Sequence, residues 1–220
     1  MQGFVLVAVF VLVAIAAAWW FASKRRKELA AWVTSKGWQF DPARDRGFDE
    51  RYPEFSCLRR GHSRYAYNVV SGTSNGRGIV AFDYHFATGH GKNRHDFRFS
   101  AIVVSAQVRL RFLHIRSETV FDKVTEFFGV DDIDFESAEF SRAFHVKSAD
   151  KRWAYDVLHQ RTMELLLSQP RFSIQFSDRD VIAWRNRRFS PETFEAAIGV
   201  AEGILDRLPE YVIQERGGKR

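Results

Sequence analysis

Residues 65–86, YAYNVVSGTSNGRGIVAFDYHF, are the clearest indication of the fold class in this chain. The two halves of this stretch are rich in aromatic and β-branched residues, and they flank the dipeptide Asn75-Gly76. Both central residues of a tight hairpin turn take positive φ, which Asn and Gly tolerate better than other residues. The stretch therefore predicts a hairpin of two antiparallel strands.

The pattern continues beyond this hairpin. A glycine-rich turn at residues 89–93 leads into a third predicted strand, residues 97–106, and a fourth follows at 110–115. Strands joined by short turns pair as antiparallel neighbours. These residues therefore predict a meander of four strands.

The apolar spacing then changes to that of helices, which begin at recognisable caps. Asp150 can cap a helix, and Ser190-Pro191 combines a capping hydroxyl with a proline in the first turn. The further predictions are helices at 120–128, 151–167 and from 191, a second short hairpin at 133–146, and a strand pair at 172–176 and 181–184.

This order predicts an α+β fold in which about three helices cover one face of an antiparallel sheet. The predicted domain covers residues 63–212, and the tail 213–220 is expected to be disordered. A single domain is favoured over two domains that would divide near Asp131.

Residues 4–22 form an unbroken apolar run, FVLVAVFVLVAIAAAWWFA. Nineteen helical residues extend about 28 Å, close to the ~30 Å hydrocarbon core of a bilayer. The run predicts an N-terminal transmembrane helix over residues 1–23. A cleaved signal peptide is the alternative, but no basic residue precedes the run, and the run is longer than the usual apolar region.

Four basic residues, Lys24, Arg25, Arg26 and Lys27, follow the run directly. Because basic residues stay on the cytoplasmic side, they predict a single-pass protein of the cell membrane with its N-terminus outside and its domain in the cytoplasm. Their predicted role is to contact anionic lipid head groups. Residues 24–62 are then expected to form a juxtamembrane helix and an irregular linker.

Charge and cysteine content restrict the partners. The net charge is +6, but beyond the four clustered residues 29 basic side chains face 27 acidic ones. This near balance argues against a nucleic-acid partner and favours a bilayer with anionic head groups and a protein partner. A single cysteine, Cys57, cannot form an intramolecular disulfide.

One loop raises the question of a metal site. His85, His90 and His95 recur every five residues, with Asp83 and Asp96 nearby, and Zn²⁺ accepts both imidazole and carboxylate ligands. Residues five apart share neither a helical face nor a strand face. We therefore expect neither a metal nor another cofactor, and we keep Asp83, His85, His90 and His95 as the candidate set for a metal-dependent hydrolase.

No catalytic motif stands elsewhere in the sequence. The function we predict is that of a non-catalytic interaction or sensing module tethered to the inner membrane, with the metal-dependent hydrolase as the alternative.

Five short segments have distinctive patterns: L-x-x-W-x-x-x-x-G-W at residues 29–38, NVVSG at 68–72, AFDY at 81–84, FESAEFSRAF at 135–144 and AYDVLH at 154–159. Together they resemble a group of bacterial single-pass membrane proteins of unknown function. The resemblance implies a membrane-anchored bacterial protein and no particular activity.

Overall fold

The computed structural model describes residues 2–117 and 133–216. The strands are β1 Gln39–Asp41, β2 His62–Ser74, β3 Arg77–Thr88, β4 His95–Ser105, β5 Leu113–Ser117, β6 Phe144–Lys147, β7 Ser173–Phe176 and β8 Asp180–Arg185. They form one eight-stranded sheet in the order β1-β2-β3-β4-β8-β7-β5-β6. Every neighbouring pair in this sheet is antiparallel.

The helices are α1 Gln2–Lys36, α2 Phe48–Arg51, α3 Ala138–Ala143, α4 Lys151–Val157, α5 Gln160–Ser168, α6 Pro191–Leu205 and α7 Glu210–Arg216. Two of the predicted helix starts are confirmed. The Ser190 side chain accepts a hydrogen bond from the backbone amide of Thr193, and the Asp150 side chain accepts one from that of Trp153. Each cap satisfies a backbone donor that the first helical turn would otherwise leave without a partner.

The hairpin predicted around Asn75-Gly76 is confirmed. Ser74 pairs with Arg77 across the turn, and Asn75 and Gly76 have φ values of 49° and 75°. The third predicted strand is confirmed as well, because β4 pairs with β3 from His95 to Val104.

Other predicted elements differ from the structure. The sheet does not continue as a meander, because β8 lies beside β4 and β5 lies between β7 and β6. The second predicted hairpin is instead the short helix α3 followed by β6, and the long helix predicted at 151–167 is divided into α4 and α5. The helix predicted at 120–128 lies outside the described residues.

The predicted membrane-spanning segment is also corrected. No helix among the described residues is long and apolar enough to cross a membrane. The apolar run is the first part of α1, a single helix of 35 residues that continues without a break through the predicted boundary at Ser23. Its second part carries the basic residues and packs on the domain through Leu29, Trp32 and Val33. The transmembrane part of the predicted fold class, and the single-pass assignment with it, is therefore wrong, and the fold is an eight-stranded antiparallel sheet with helices.

Both faces of the sheet are covered, which the prediction of one covered face missed. On one face, α6 and the second part of α1 bury alternate strand residues that include Ile79, Ala81 and Ile102. On the other face, Phe82, Tyr84 and Trp184 pack against residues of the segment 48–58. This segment was predicted to be an irregular linker, but Phe48, Phe55, Cys57 and Leu58 are fully buried in the second core.

The second face also holds a buried histidine that makes stability sensitive to acid. His114 stacks on Trp184 with ring centroids 5.7 Å apart, and burial, aided by the charges of Arg116, Arg60 and Lys147, lowers its pKa to about 4. In the unfolded chain the pKa returns to about 6.5, so the unfolded state binds the proton first as pH falls. We therefore expect the protein to lose about 3 kcal/mol of stability between pH 6.5 and pH 4.

Denaturant unfolding at several pH values tests this expectation. His114→Phe keeps the aromatic stack and removes the titrating group, so its stability should fall less steeply over this range. His95→Phe, which changes an exposed histidine, should keep the slope of the unmodified chain. Equal slopes for the unmodified chain and His114→Phe would contradict the assignment.

A close approach at Gly72 joins the end of α1 to the sheet. A Cβ added to Gly72 would lie 2.2 Å from Cγ of Trp38, whose indole donates a hydrogen bond to the Thr73 carbonyl at 3.2 Å. Gly72→Ala should displace the ring and lower the free energy of unfolding by about 1–3 kcal/mol. Gly199→Ala in α6, where a Cβ meets nothing within 4 Å, should instead stabilise by about 0.5–1 kcal/mol. Thermal unfolding of the two variants checks the difference in sign.

Candidate functional site

Polar side chains interrupt the otherwise apolar first face of the sheet. Successive positions of β3 on that face are Ile79, Ala81, Asp83 and His85, so the apolar pattern ends at Asp83. The strand register places Asp83 between Tyr67 and Ser100, and His85 between Tyr65 and Arg98. These two polar rows are one strand repeat apart, about 7 Å.

The first row is closed by Arg25 of α1. Its guanidinium donates two hydrogen bonds to the Asp83 carboxylate, from Nε at 2.7 Å and from Nη2 at 2.6 Å, and a third from Nη1 to the Phe189 carbonyl at 2.9 Å. The Asp83 side chain has no exposed surface, and that of Arg25 is 14% exposed. We call this arrangement the Arg25–Asp83 clamp.

Two further groups complete the hydrogen bonding of the buried carboxylate. The Ser100 hydroxyl donates to Asp83 at 2.5 Å, and the Asn68 amide donates at 2.9 Å. Asn68 lies at a β-bulge with φ of 52°, a conformation that Asn tolerates better than most residues. The donors of Arg25, Ser100 and Asn68 therefore replace the water that burial removes from the carboxylate.

The clamp fixes the orientation of α1 on the domain. Arg25 and Asp83 are 58 residues apart in the sequence, and the same arginine reaches the loop before α6 through Phe189. About two turns further along α1, Trp32 stacks on Phe194 of α6 with ring centroids 5.4 Å apart. A charged contact and an aromatic contact therefore hold the second part of α1 on the domain at two positions along its length.

The second polar row opens into a cavity of about 540 Å³. We call it the arginine pocket, because five of its lining residues are Arg44, Arg46, Arg64, Arg94 and Arg98. The remaining lining residues are Ser63, Tyr65, His85 and Asp96. The pocket is thus strongly basic in a chain whose domain is close to neutral.

Stacked rings and one carboxylate form a wall of the arginine pocket. The Tyr65 ring lies between the guanidinium of Arg44, 4.9 Å from its centroid, and the imidazole of His85, 4.5 Å away. His85 Nε2 lies 2.8 Å from the Asp96 carboxylate, which also accepts a hydrogen bond from Arg94 at 2.8 Å. The hydrogen bonds from Arg94 and then His85 lower the pKa of Asp96 to about 2.

The residues considered for a metal site are not gathered at one point. His85 faces Asp96, whereas His90 stacks on His62 with ring centroids 4.6 Å apart, and Asp83 belongs to the clamp. His95 is exposed at the start of β4. Within residues 2–117 and 133–216, no group of three or more His, Cys, Asp and Glu side chains is placed to hold a metal ion.

The basic cluster after the apolar run is divided in the structure. Lys24, Arg26 and Lys27 are exposed, while Arg25 turns inward to the clamp. The spacing within the cluster does not reveal this difference. The sequence does contain one indication that a basic residue is buried. Asp83 is a lone carboxylate on the buried face of an apolar strand, and a buried carboxylate needs a cationic partner.

The first part of α1 has a different surface from the rest of the molecule. Its large apolar side chains are 47% to 75% exposed, and they are Val7, Val9, Phe10, Val11, Leu12, Val13, Ile15, Trp19, Trp20 and Phe21. Because residues 9–17 and 19–22 are all exposed, the side chains described in this segment lie uncovered on every side of the helix. We call residues 7–21 the apolar segment.

Comparison with known proteins identifies a related fold. No family model and no curated protein sequence matches the chain. The crystal structure of the mycobacterial trehalose monomycolate transport factor A, TtfA, aligns with a TM-score of 0.64 at 12% sequence identity. The alignment covers 85% of this chain and 94% of that one. At this identity the likeness establishes a shared fold.

Proposed function

We propose that this protein is a non-catalytic interaction module that works at the cytoplasmic surface of a membrane, where it supports a transport process. The apolar segment contacts the bilayer, the exposed basic residues after it contact anionic head groups, and the sheet domain presents a binding surface to a partner. The observation that carries the proposal is the exposed apolar surface of residues 7–21.

Exposed apolar surface of this extent is rare on proteins that stay in water. Burying a large apolar side chain is worth about 1.5–3 kcal/mol, so many such side chains left uncovered indicate a contact with an apolar phase or partner. A bilayer is favoured over a protein groove because side chains around the whole helix are exposed, whereas a groove covers one face. Trp19 and Trp20 close the segment next to Lys24, the aromatic and basic order of a membrane interface.

The Arg25–Asp83 clamp supports a mechanical role for α1. The apolar segment and the domain are joined through one helix that is held by a buried ion pair and an aromatic stack. The domain would thus be presented at a fixed distance and orientation from the bilayer rather than on a flexible tether. Such fixed geometry suits a module that positions a partner.

The transport context comes from the shared fold. TtfA is named as a transport factor for trehalose monomycolate, and its fold covers most of this chain. The fold of a transport factor supports a non-catalytic accessory role here, without implying the same cargo. The hydrolase alternative gains no support from the site, since the residues it would use are dispersed over the clamp, the arginine pocket and an exposed turn.

Vesicle flotation of the purified full chain tests the proposal. We expect the protein to float with phosphatidylcholine vesicles, and more completely when they contain an anionic lipid, with the anionic increment reduced by salt. A chain that stays at the bottom of the gradient with both vesicle types overturns the bilayer contact. Recovery of the chain only in a stoichiometric complex with another protein would assign the apolar segment to that protein instead.

A further inference from the structure

We propose that the arginine pocket binds a phosphate-type anion. This goes beyond the proposed function and does not rest on it, since a soluble phosphate compound needs no bilayer to reach the pocket. The charge balance of the pocket, its walls, its size and its place on the sheet all support this assignment.

The charge balance leaves an excess of cations. Arg64 is paired with Asp49 at 2.9 Å, and Arg94 is paired with Asp96 at 2.8 Å. Among the described residues, Arg44, Arg46 and Arg98 have no carboxylate oxygen within 4.0 Å. Three uncompensated guanidinium groups around one cavity repel one another, and a multiply charged anion between them would relieve that repulsion.

The donors suit phosphate better than a single carboxylate. A guanidinium presents a planar fork of N–H groups that matches two oxygens of a phosphate, and several forks converging on one ion can use all of its oxygens. A monocarboxylate offers two oxygens and one charge, which would leave part of this cationic set unsatisfied. The cavity of about 540 Å³ is also larger than an isolated phosphate requires, so it has room for the group to which the phosphate is attached.

The walls of the pocket are held in place before any ligand arrives. Tyr65 is fixed between Arg44 and His85, and His85 is fixed by Asp96 and by the Ser63 carbonyl, which lies 3.1 Å from Nδ1. Ser63 lies at a second bulge of β2, with φ of 54°, a rare conformation for serine. Irregularities of this kind are concentrated at binding sites, where they redirect side chains.

The place of the pocket suggests two sources for such a ligand. Trp38, which follows the C-terminal end of α1, contacts Thr73 of β2, and Arg25, nearer the N-terminal end of α1, contacts Asp83 of β3. The row that contains Tyr65 and His85 lies one strand repeat beyond Asp83 in the same direction. The pocket therefore lies on the side of the sheet toward which the apolar segment extends. A lipid head group and a soluble phosphate ester share the chemistry that the arginines recognise.

Calorimetric titration of the full chain in a mild non-ionic detergent tests the site, with inorganic pyrophosphate as the probe. We expect saturable binding of one pyrophosphate per chain, weakened at least about tenfold by Arg46→Ala and by Arg98→Ala, and weakened by salt. Arg152→Ala removes the same charge from α4, where the side chain is 80% exposed, and should bind as the unmodified chain does. Unfolding curves of the variants check that each remains folded.

A second titration identifies the source of the ligand. Vesicles of phosphatidylcholine with and without phosphatidate, whose head group is a phosphate monoester, are compared for the same variants. A preference for phosphatidate that Arg46→Ala and Arg98→Ala reduce, and Arg152→Ala does not, assigns the head group. Pyrophosphate binding without that preference assigns a soluble phosphate compound. Absence of both effects, or pyrophosphate affinities that are equal in all three variants, overturns the site, while flotation by the apolar segment would remain.

Discussion

Replacing Arg25 by methionine is expected to lower the free energy of unfolding by about 3–5 kcal/mol, because it leaves the Asp83 carboxylate buried without its cation. Asp83 has no exposed surface, so water cannot replace the two hydrogen bonds that its carboxylate loses. Methionine fills similar space, which separates the loss of charge from the loss of packing. Denaturant unfolding measures the effect.

Two variants make this result specific to the clamp. Arg26→Met removes the neighbouring charge, which is exposed, and should change stability by no more than about 0.5 kcal/mol. Adding Asp83→Asn to Arg25→Met should recover part of the loss, because the amide has no charge to bury and can still bond to Ser100. Equal stabilities of Arg25→Met and Arg26→Met would show that the clamp does not hold α1.

Replacing Trp19, Trp20 and Phe21 by serine should reduce vesicle binding by at least about a hundredfold. Each of these side chains is more than half exposed, and if each gains about 1–2 kcal/mol in the bilayer, together they supply more than the 2.8 kcal/mol that a hundredfold change requires. The variant should keep its unfolding curve, since these residues make no part of the two cores. Flotation and denaturant unfolding of the same preparation test both statements.

A matched control variant replaces exposed aromatic residues of the domain instead of those of α1. Phe97 and Tyr155 are 46% and 49% exposed on the domain, and changing both to serine should leave flotation unchanged. If the domain variant loses vesicle binding and the helix variant does not, the membrane contact lies on the domain and the role of the apolar segment is refuted.

Local features of the fold could be predicted because their causes lie within a few residues. Asn75-Gly76 accepts the positive φ of the turn, and Ser190 caps the helix that Pro191 begins, so both elements follow from short-range sterics and hydrogen bonding. The order of the strands has no such local cause. β8 enters the sheet beside β4 although their paired residues Ser105 and Asp180 are 75 positions apart, and only the fit of both faces decides that pairing.

Burial and helix boundaries could not be predicted where the composition of a segment gives a misleading signal. Residues 48–58 contain turn-forming residues between their aromatic side chains, which hides a segment whose Phe48 and Phe55 fill the second core. Residues 4–22 show the opposite difficulty. Their uniform apolarity suggested an independent transmembrane element, whereas α1 is one helix whose later turns belong to the domain.

The candidate site was predicted in part. Asp83 and His85 were singled out, but for a metal site, because their real partners come from distant segments. Arg25 precedes Asp83 by 58 residues, and the arginines of the pocket come from three separate parts of the chain. Sequence spacing cannot reveal such convergence. An acidic residue on the buried face of a strand does indicate that a cation must come from somewhere else.

The proposed function requires that the apolar segment contacts the bilayer and that the domain stays outside it. Quenching of tryptophan fluorescence by brominated phospholipids tests this most directly, because Trp19 and Trp20 are exposed on the segment, whereas Trp32, Trp153 and Trp184 are buried in the domain. Trp19→Phe with Trp20→Phe keeps the segment apolar and removes its fluorophores. We expect strong quenching in the unmodified chain and little in this variant, although both float with vesicles. Quenching that is absent in the unmodified chain, or equal in the two, would refute the contact of the apolar segment with the bilayer.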